Sequence, residues 1–301
     1  MPQTILIGTR GSALALAQAE GVARQLRDLG ARVELRIIKT TGDRVQGPPE
    51  MPAEKGVFVK EIEAALLAGE VRLAVHSLKD LPTDLKPGLL IAAVPLRADP
   101  RDALISRGQR LADLPRGARV GTSSPRRRAQ LLRVRPDLEM LPVRGNVDTR
   151  LRKLAAGDYD AIVLAAAGLE RLGLGDRIVE RLACEVCLPA PGQGALAVEA
   201  RAGDEEAIGI ARRIEDAASR ACVEAERALL AGLGGGCRVP IGALAEAEGA
   251  ALRLRGVVAS PDGARAVFGE KVGERERPQE LGRLLAEDLA AQLDDAAIEI
   301  G

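Results

Sequence analysis

Histidine is nearly missing from this 301-residue chain. With His76 as the single imidazole, most His-based zinc sites are excluded and a Ser–His–Asp triad has little to stand on. Acid and base work then falls to Asp, Glu or Lys. Cysteine is scarce too: four residues in a chain of this size make no disulfide framework, which fits a reducing cytoplasm and leaves thiols free for chemistry. Net charge is absent, 43 Lys and Arg standing against 43 Asp and Glu, so no global field draws in nucleic acid or an anionic membrane. Any basic site must be local. Apolar runs such as 161–168 fall far short of the roughly twenty residues needed to span a bilayer. The stretch 1–10 has neither a basic leader region nor a cleavage pattern, so a soluble, cytoplasmic protein is expected. There is no internal repeat and no low-complexity tract.

What is present is an alternation of β-branched apolar segments with amphipathic helical ones, the pattern of βαβ units and a largely parallel sheet. Strands are expected at 4–9, 32–38, 73–76, 119–122, 138–141 and 161–164. Helices are expected at 12–29 and 57–68 and from about Pro125, Asn146 and Ala166 onward. The Pro- and charge-rich stretch 95–102 reads as a crossover. A strand at 195–199, after the Pro189-Ala190-Pro191-Gly192 turn, returns the chain to the first domain. Beyond Cys237 the pattern changes to three antiparallel strands (239–245, 252–260, 264–272) and a helix (278–292). The fold class expected is α/β in three domains: 1–96 with 195–214, 97–194, and a small α+β domain at 215–301. Residues 46–55, rich in Pro and Gly without apolar period, read as a mobile loop.

Three strand-to-helix junctions pair a small polar residue with an arginine: Arg10-Gly11-Ser12, Gly121-Thr122-Ser123-Ser124-Pro125-Arg126, and Arg144-Gly145-Asn146. Free N–H groups at a helix start and a bidentate guanidinium both favour an anion. Any one junction is what an ordinary capped helix looks like, but three together point to a polycarboxylate or phosphate ligand. Arg126-Arg127-Arg128 places cations at the end of a helix where the dipole disfavours them, a local conflict typical of functional sites. In His76-Ser77-Leu78-Lys79-Asp80 a carboxylate beside a lysine follows a buried strand; it reads equally as a solvated turn or as a group that steadies a developing cation. Gly234-Gly235-Gly236-Cys237-Arg238 carries an accessible thiol whose pKa the adjacent arginine lowers, a candidate nucleophile or attachment point. Cys222 lies on an apolar helix face. Cys184-Glu185-Val186-Cys187 has CxxC spacing but no second pair and no nearby histidine, and reads as the end of an apolar strand.

Taken in order, Thr9-Arg10-Gly11-Ser12, Lys55-Gly56-Val57-Phe58-Val59-Lys60-Glu61, His76-Ser77-Leu78-Lys79-Asp80-Leu81-Pro82, Gly121-Thr122-Ser123-Ser124, Arg144-Gly145-Asn146-Val147, Leu188-Pro189-Ala190-Pro191-Gly192-Gln193-Gly194 and Gly235-Gly236-Cys237 make the chain resemble the porphobilinogen deaminase family over nearly its whole length. The resemblance implies two periplasmic-binding-protein-like, doubly wound α/β domains and a third domain bearing a dipyrromethane in thioether linkage to Cys237. By position, Asp80 would be the catalytic carboxylate. Arg10, Ser12, Lys79, Thr122, Ser124, Arg126, Arg127, Arg144, Arg150 and Arg171 would hold the acetate and propionate groups of cofactor and substrate. Lys55 and Lys60 would belong to a lid. The implied chemistry is loss of ammonia from porphobilinogen and attack on the resulting cation by the terminal pyrrole of a growing chain. Four additions and a hydrolysis would give hydroxymethylbilane, and each ring would add two negative charges. A monomer acting on a small molecule is implied, with no nucleic acid, membrane or metal. Pro125 and Gly11 depart mildly from the family pattern and bear on the shape of the anion pocket. The competing reading is a non-catalytic two-domain binding protein or sensor for a small anion, which leaves Cys237 unexplained.

Overall fold

Residue patterning translates directly into elements in the computed structural model, which describes residues 4–40, 59–234, 240–296 and 298. In chain order these are β1 (Ile5–Thr9), α1 (Ala13–Asp28), β2 (Val33–Ile37), α2 (Lys60–Leu67), β3 (Leu73–Ser77), β4 (Leu89–Ala93), β5 (Asp102–Ser106), β6 (Arg119–Gly121), α3 (Pro125–Val134), β7 (Glu139–Leu141), α4 (Val147–Ala156), β8 (Ala161–Ala165), α5 (Ala166–Arg171), β9 (Glu180–Arg181), β10 (Leu196–Arg201), α6 (Glu205–Arg212), α7 (Ala217–Gly232), β11 (Ile241–Glu248), β12 (Ala251–Ala259), β13 (Ala266–Glu274) and α8 (Pro278–Asp295). Loop 46–55, with Lys55, and the cysteine loop 235–239, with Cys237, lie outside the described residues.

The described residues fall into two units, 4–40, 59–98 and 194–220 in one, and 99–193, 221–234, 240–296 and 298 in the other. The first unit is built on a five-stranded sheet of order β2-β1-β3-β10-β4. Alternation along β3 sends Leu73 and Val75 into a core with Val22, Ala23 and Leu26 of α1, and Ala74 into a second core with Ile62 and Leu66 of α2. The sheet is thus covered on both faces. In α1 the Ser12 hydroxyl accepts from the Ala15 N–H at 3.3 Å, and Ala19, Val22, Ala23 and Leu26 repeat at helical spacing on the buried side.

The second unit contains a matching sheet of order β7-β6-β8-β5-β9 and a separate three-stranded sheet, β11-β12-β13. Ala103, Ile105, Ile162 and Leu164 face α4 and α5, while Leu104, Ala161 and Val163 face the other core. The three-stranded sheet is antiparallel throughout and packs against α7 and α8 through Leu252, Leu254, Leu285 and Leu289. Gly282 lets α8 approach α7 so closely that a Cβ there would strike the Ala225 carbonyl oxygen and the Ala228 side chain. Gly282→Ala should therefore destabilise by about 1–3 kcal/mol through overpacking, read as a lower urea midpoint at unchanged slope.

The expectation of largely parallel sheets holds, with four of the five strands of each running one way and one reversed. β1, β2 and β3 are parallel, as are β6, β7 and β8, but β10 runs antiparallel to β3 and β4, and β5 antiparallel to β8 and β9. The reversed strands are the ones entered by the segments passing from one unit to the other, 94–101 and 189–195. β4, β5, β9 and α6 are additions to the elements that the pattern predicts, as is α7, of which only the helical face at Cys222 is read from the sequence. Leu89–Ala93 and Asp102–Ser106 are short buried runs without clear alternation, which periodicity does not resolve. The segment at Cys184 and Cys187 is likewise not a strand: the N–H groups of Val186 and Cys187 both donate to the Ala183 carbonyl at 3.0 Å, forming a turn.

Candidate active site

Among the described residues, most of those singled out by the sequence lie just beyond the carboxyl end of a parallel strand, where an open α/β sheet binds its ligands. In the first unit β1 leads to Arg10 and Ser12, and β3 leads into the 3-10 turn Leu78–Asp80. Leu78 and Leu81 are both buried, and the Leu78 N–H is held by the Ala195 carbonyl at 3.1 Å. With both leucines turned inward, Lys79 and Asp80 are carried outward; Asp80 is exposed and its carboxylate has no hydrogen-bond partner among the described residues. Arg10, Gln18, His76, Ser77 and Asp80 line one small recess of about 40 Å³. Lys60, expected with the lid, is the first residue of α2 and borders a shallow cavity of about 420 Å³ with Glu63, Asp84 and Lys86.

In the second unit β6 leads to Thr122, Ser123 and Ser124, β7 to Arg144, and β8, through the short α5, to Arg171. Ser124 caps α3, its hydroxyl accepting from the Arg127 N–H at 3.4 Å, and Pro125 takes the first helical position. Thr122 is buried and its hydroxyl accepts from the Ser124 N–H at 3.2 Å. The Ser123 hydroxyl ties this turn to the next, donating to the Val143 carbonyl at 2.9 Å. Asn146 precedes α4 but makes no side-chain capping bond, unlike Ser12 and Ser124.

The arginines behave differently from one another. Arg126 and Arg127 point inward, 5% and 6% exposed, and converge on Asp102, which is fully buried at the start of β5. Arg126 Nη1 lies 2.7 Å from Asp102 Oδ2 and also donates to the Leu188 carbonyl at 2.7 Å. Arg127 reaches Asp102 Oδ1 through Nε at 2.8 Å and Nη2 at 2.7 Å, and its Nη1 donates to the Val163 carbonyl. Gln193 donates to the same carboxylate at 2.9 Å. Burial alone would raise the Asp102 pKa, but the two guanidiniums outweigh it and hold the group well below the usual carboxylate range. The local conflict read at Arg126-Arg127-Arg128 thus has an internal resolution: a carboxylate 24 and 25 residues upstream in sequence takes one edge of each buried guanidinium. Cys187 donates to Asp102 at 3.3 Å, and its thiol is pushed up to about 12, first by burial and then by that carboxylate. It is a protonated interior thiol, not a nucleophile.

Arg150 has the opposite character. Its Nε donates to the Gly145 carbonyl at 2.7 Å, no carboxylate pairs with it among the described residues, and its pKa is drawn down to about 10, first by burial and then by Arg127. Burial also lowers the Arg171 pKa. A guanidinium desolvated without a carboxylate partner among the described residues, as Arg150 is, gains from an incoming anion. Arg150→Met should accordingly raise intrinsic stability by about 1 kcal/mol while weakening ligand binding, and a urea midpoint that fell instead would contradict this account.

Within the second unit, the partly desolvated Arg150 and Arg171 and the capped start of α3 are groups that suit a carboxylate ligand, and within the first unit Asp80 is an exposed acceptor. These features define the class as an α/β protein with anion-favouring groups at its strand ends. Comparison with known proteins narrows the class. A family model described as porphobilinogen deaminase, dipyrromethane cofactor binding domain, matches residues 5–209, and the C-terminal domain of porphobilinogen deaminase matches 220–291. The porphobilinogen deaminase of Roseiflexus castenholzii is 53% identical over 293 residues, covering 96% of each chain. That of Rubrobacter xylanophilus is 55% identical over 288 residues, 95% of this chain and 93% of its own. Among solved structures, the methionine-binding protein MetQ is 15% identical and covers 70% of this chain and 89% of its own, with a TM-score of 0.46. The chain belongs to the porphobilinogen deaminase family.

Two buried carboxylates have no clear signal in the sequence: Asp102, and Glu199, whose Oε2 lies 3.1 Å from His76 Nε2. Each is one polar residue in or next to an apolar segment, and each finds its partners only across the folded sheet.

Proposed function

We propose that this chain joins four molecules of porphobilinogen head to tail, with loss of ammonia, onto a covalent dipyrromethane primer and then releases hydroxymethylbilane by hydrolysis. The observation that carries the reading, in a chain of this family, is Asp80: an exposed carboxylate with no protein partner among the described residues, presented beyond the end of a parallel strand. When bound, the dipyrromethane supplies the nucleophilic terminal pyrrole. Cys237 would anchor it, and Thr122, Ser124, Arg126, Arg127, Arg144 and Lys79 would hold its carboxylates. Arg10, Ser12, Arg150 and Arg171, with Arg144, would receive those of the substrate. Asp80 accepts from pyrrole N–H groups and opposes the positive charge that develops as ammonia departs. Asp102 holds Arg126 through Nη1 and Arg127 through Nε and Nη2, with Arg127 Nη1 on the Val163 carbonyl, so both guanidiniums are fixed in orientation before any ligand arrives.

The same reading divides the chain into 1–96 with 195–214, 97–194 and 215–301, and assigns Lys55 and Lys60 to a lid. It places the enzyme in the cytoplasm as a monomer that acts on a small molecule rather than on nucleic acid or membrane. No helix among the described residues is long and apolar enough to cross a membrane, and no metal-binding cluster occurs among them.

Intact-mass measurement tests the proposal. The purified protein should carry the mass of two linked pyrroles, release ammonia from porphobilinogen, and lose both properties on Cys237→Ala. A bare polypeptide that binds the substrate without turnover would favour an anion sensor instead.

A further inference from the structure

The only histidine of the chain is 6% exposed on β3, and its Nε2 lies 3.1 Å from Oε2 of Glu199, which is fully buried on β10. Strand register makes the pair: β10 runs antiparallel to β3 with Ala197 opposite His76, so Glu199, two residues on, shares its face of the sheet. That face is covered by α2, whose Glu63 is also buried. The Glu63 pKa is raised first by burial and then by Glu199, against Lys86, His76 and Lys60. A carboxylate removed from water is retained only with a partner, and Glu199 Oε1 has none among the described residues, so His76 supplies the one hydrogen bond Glu199 makes there. The other ring nitrogen, Nδ1, has no partner among the described residues.

His76 also lines the recess of about 40 Å³ that it shares with Arg10, Gln18, Ser77 and Asp80. A space of that size, ringed by several polar groups, suits ordered water and is too small for a pyrrole. Gln18 Nε2 donates to the Ser77 hydroxyl at 2.9 Å, fixing one wall. We infer that His76 is a positioning residue for Asp80: Glu199 fixes the imidazole with its proton on Nε2, and water in the recess joins the ring to the Asp80 carboxylate. Glu199 thus serves the site at second remove, as a buried acceptor that sets a tautomer, much as outer carboxylates orient ligating histidines in metal sites. The charged groups facing the pair are Glu63 and Lys60 from α2, Lys86 before β4, and Arg10 and Asp80 across the recess. The inference rests on Asp80 being the reacting carboxylate.

A lone histidine makes the test unambiguous, because protein labelled with 15N-histidine gives one pair of ring-nitrogen resonances. The wild-type holoprotein should show the proton on Nε2. Asp80→Asn, an exposed substitution that should leave the fold intact, should shift the His76 ring resonances. Glu199→Gln should admit the other tautomer and lower kcat about tenfold at nearly unchanged KM, with an altered pH profile. If Glu199→Gln does not fold, the Asp80→Asn comparison still decides the matter. Ring resonances indifferent to Asp80→Asn, or a wild-type ring protonated on Nδ1 with Nε2 bare, would overturn the inference while leaving the proposed activity standing. Full turnover by Asp80→Asn would remove the proposed role of Asp80, whatever the spectra show.

Discussion

Asp80→Asn should abolish most turnover, lowering kcat for ammonia release about 10²–10³-fold while KM for porphobilinogen and the denaturation midpoint stay nearly the same. The substitution keeps the size and one acceptor oxygen of the side chain and removes only its charge. A full charge some 4 Å from a developing cation is worth about 4 kcal/mol at an effective dielectric constant near 20. At about 1.4 kcal/mol per tenfold in rate, losing most of that interaction gives the stated range. KM is spared because the substrate's carboxylates are assigned to arginines, and because the cation exists only as ammonia departs. Stability is spared because Asp80 is exposed on a turn pinned by Leu78 and Leu81, not by itself. Single-turnover ammonia release checks this, and a loss smaller than tenfold would remove Asp80 from the chemistry.

Asp102→Asn is expected to carry the largest stability cost, about 3–5 kcal/mol in urea unfolding, because it leaves two buried guanidiniums without their shared counter-ion. Against a typical total of about 5–15 kcal/mol this is a large share. Arg126→Met in the same chain should recover part of the loss, since a buried ion pair replaced by apolar volume is often neutral while a broken one is not. Double-mutant stability equal to the sum of the single costs would show that no such coupling exists. The pH dependence has a definite sign. The folded-state pKa of Asp102 is depressed, so its contribution is complete above the unfolded value of about 3.9 and is lost as pH falls through the folded value. The wild type should therefore lose more stability than Asp102→Asn when titrated downward from pH 4.

What is legible in the chain, and what is not, divides along a physical line. Helix starts are local: a Ser hydroxyl finds an N–H three residues on, so Ser12 and Ser124 are readable as caps from their neighbours in sequence. Asn146 shows the limit, since the same kind of residue at the same kind of junction makes no side-chain bond. The turn at Lys79 and Asp80 is open to two readings from sequence; the burial of Leu78 and Leu81 shows only that the turn is pinned and Asp80 is turned outward, which both readings allow. The CxxC spacing at Cys184 gives no sign that Cys187 lies against a carboxylate 85 residues away. The reversed directions of β5 and β10 are silent in the sequence for a related reason: periodicity reports that a strand is buried, not which way its neighbours run.

Composition, the order of strands and helices, the anion-favouring junctions and the family resemblance all reside in the amino-acid order, because each depends on residues a few positions apart or on motifs kept in series. Pairings at long range do not. Which arginines are neutralised from within, by Asp102, and which are left wanting an anion, as Arg150 is, depends on which side chains the sheet buries together. The same holds for His76 and Glu199, 123 residues apart and joined by antiparallel register. A charge removed from water is controlled by its neighbours in space, and those neighbours exist only once the chain has folded.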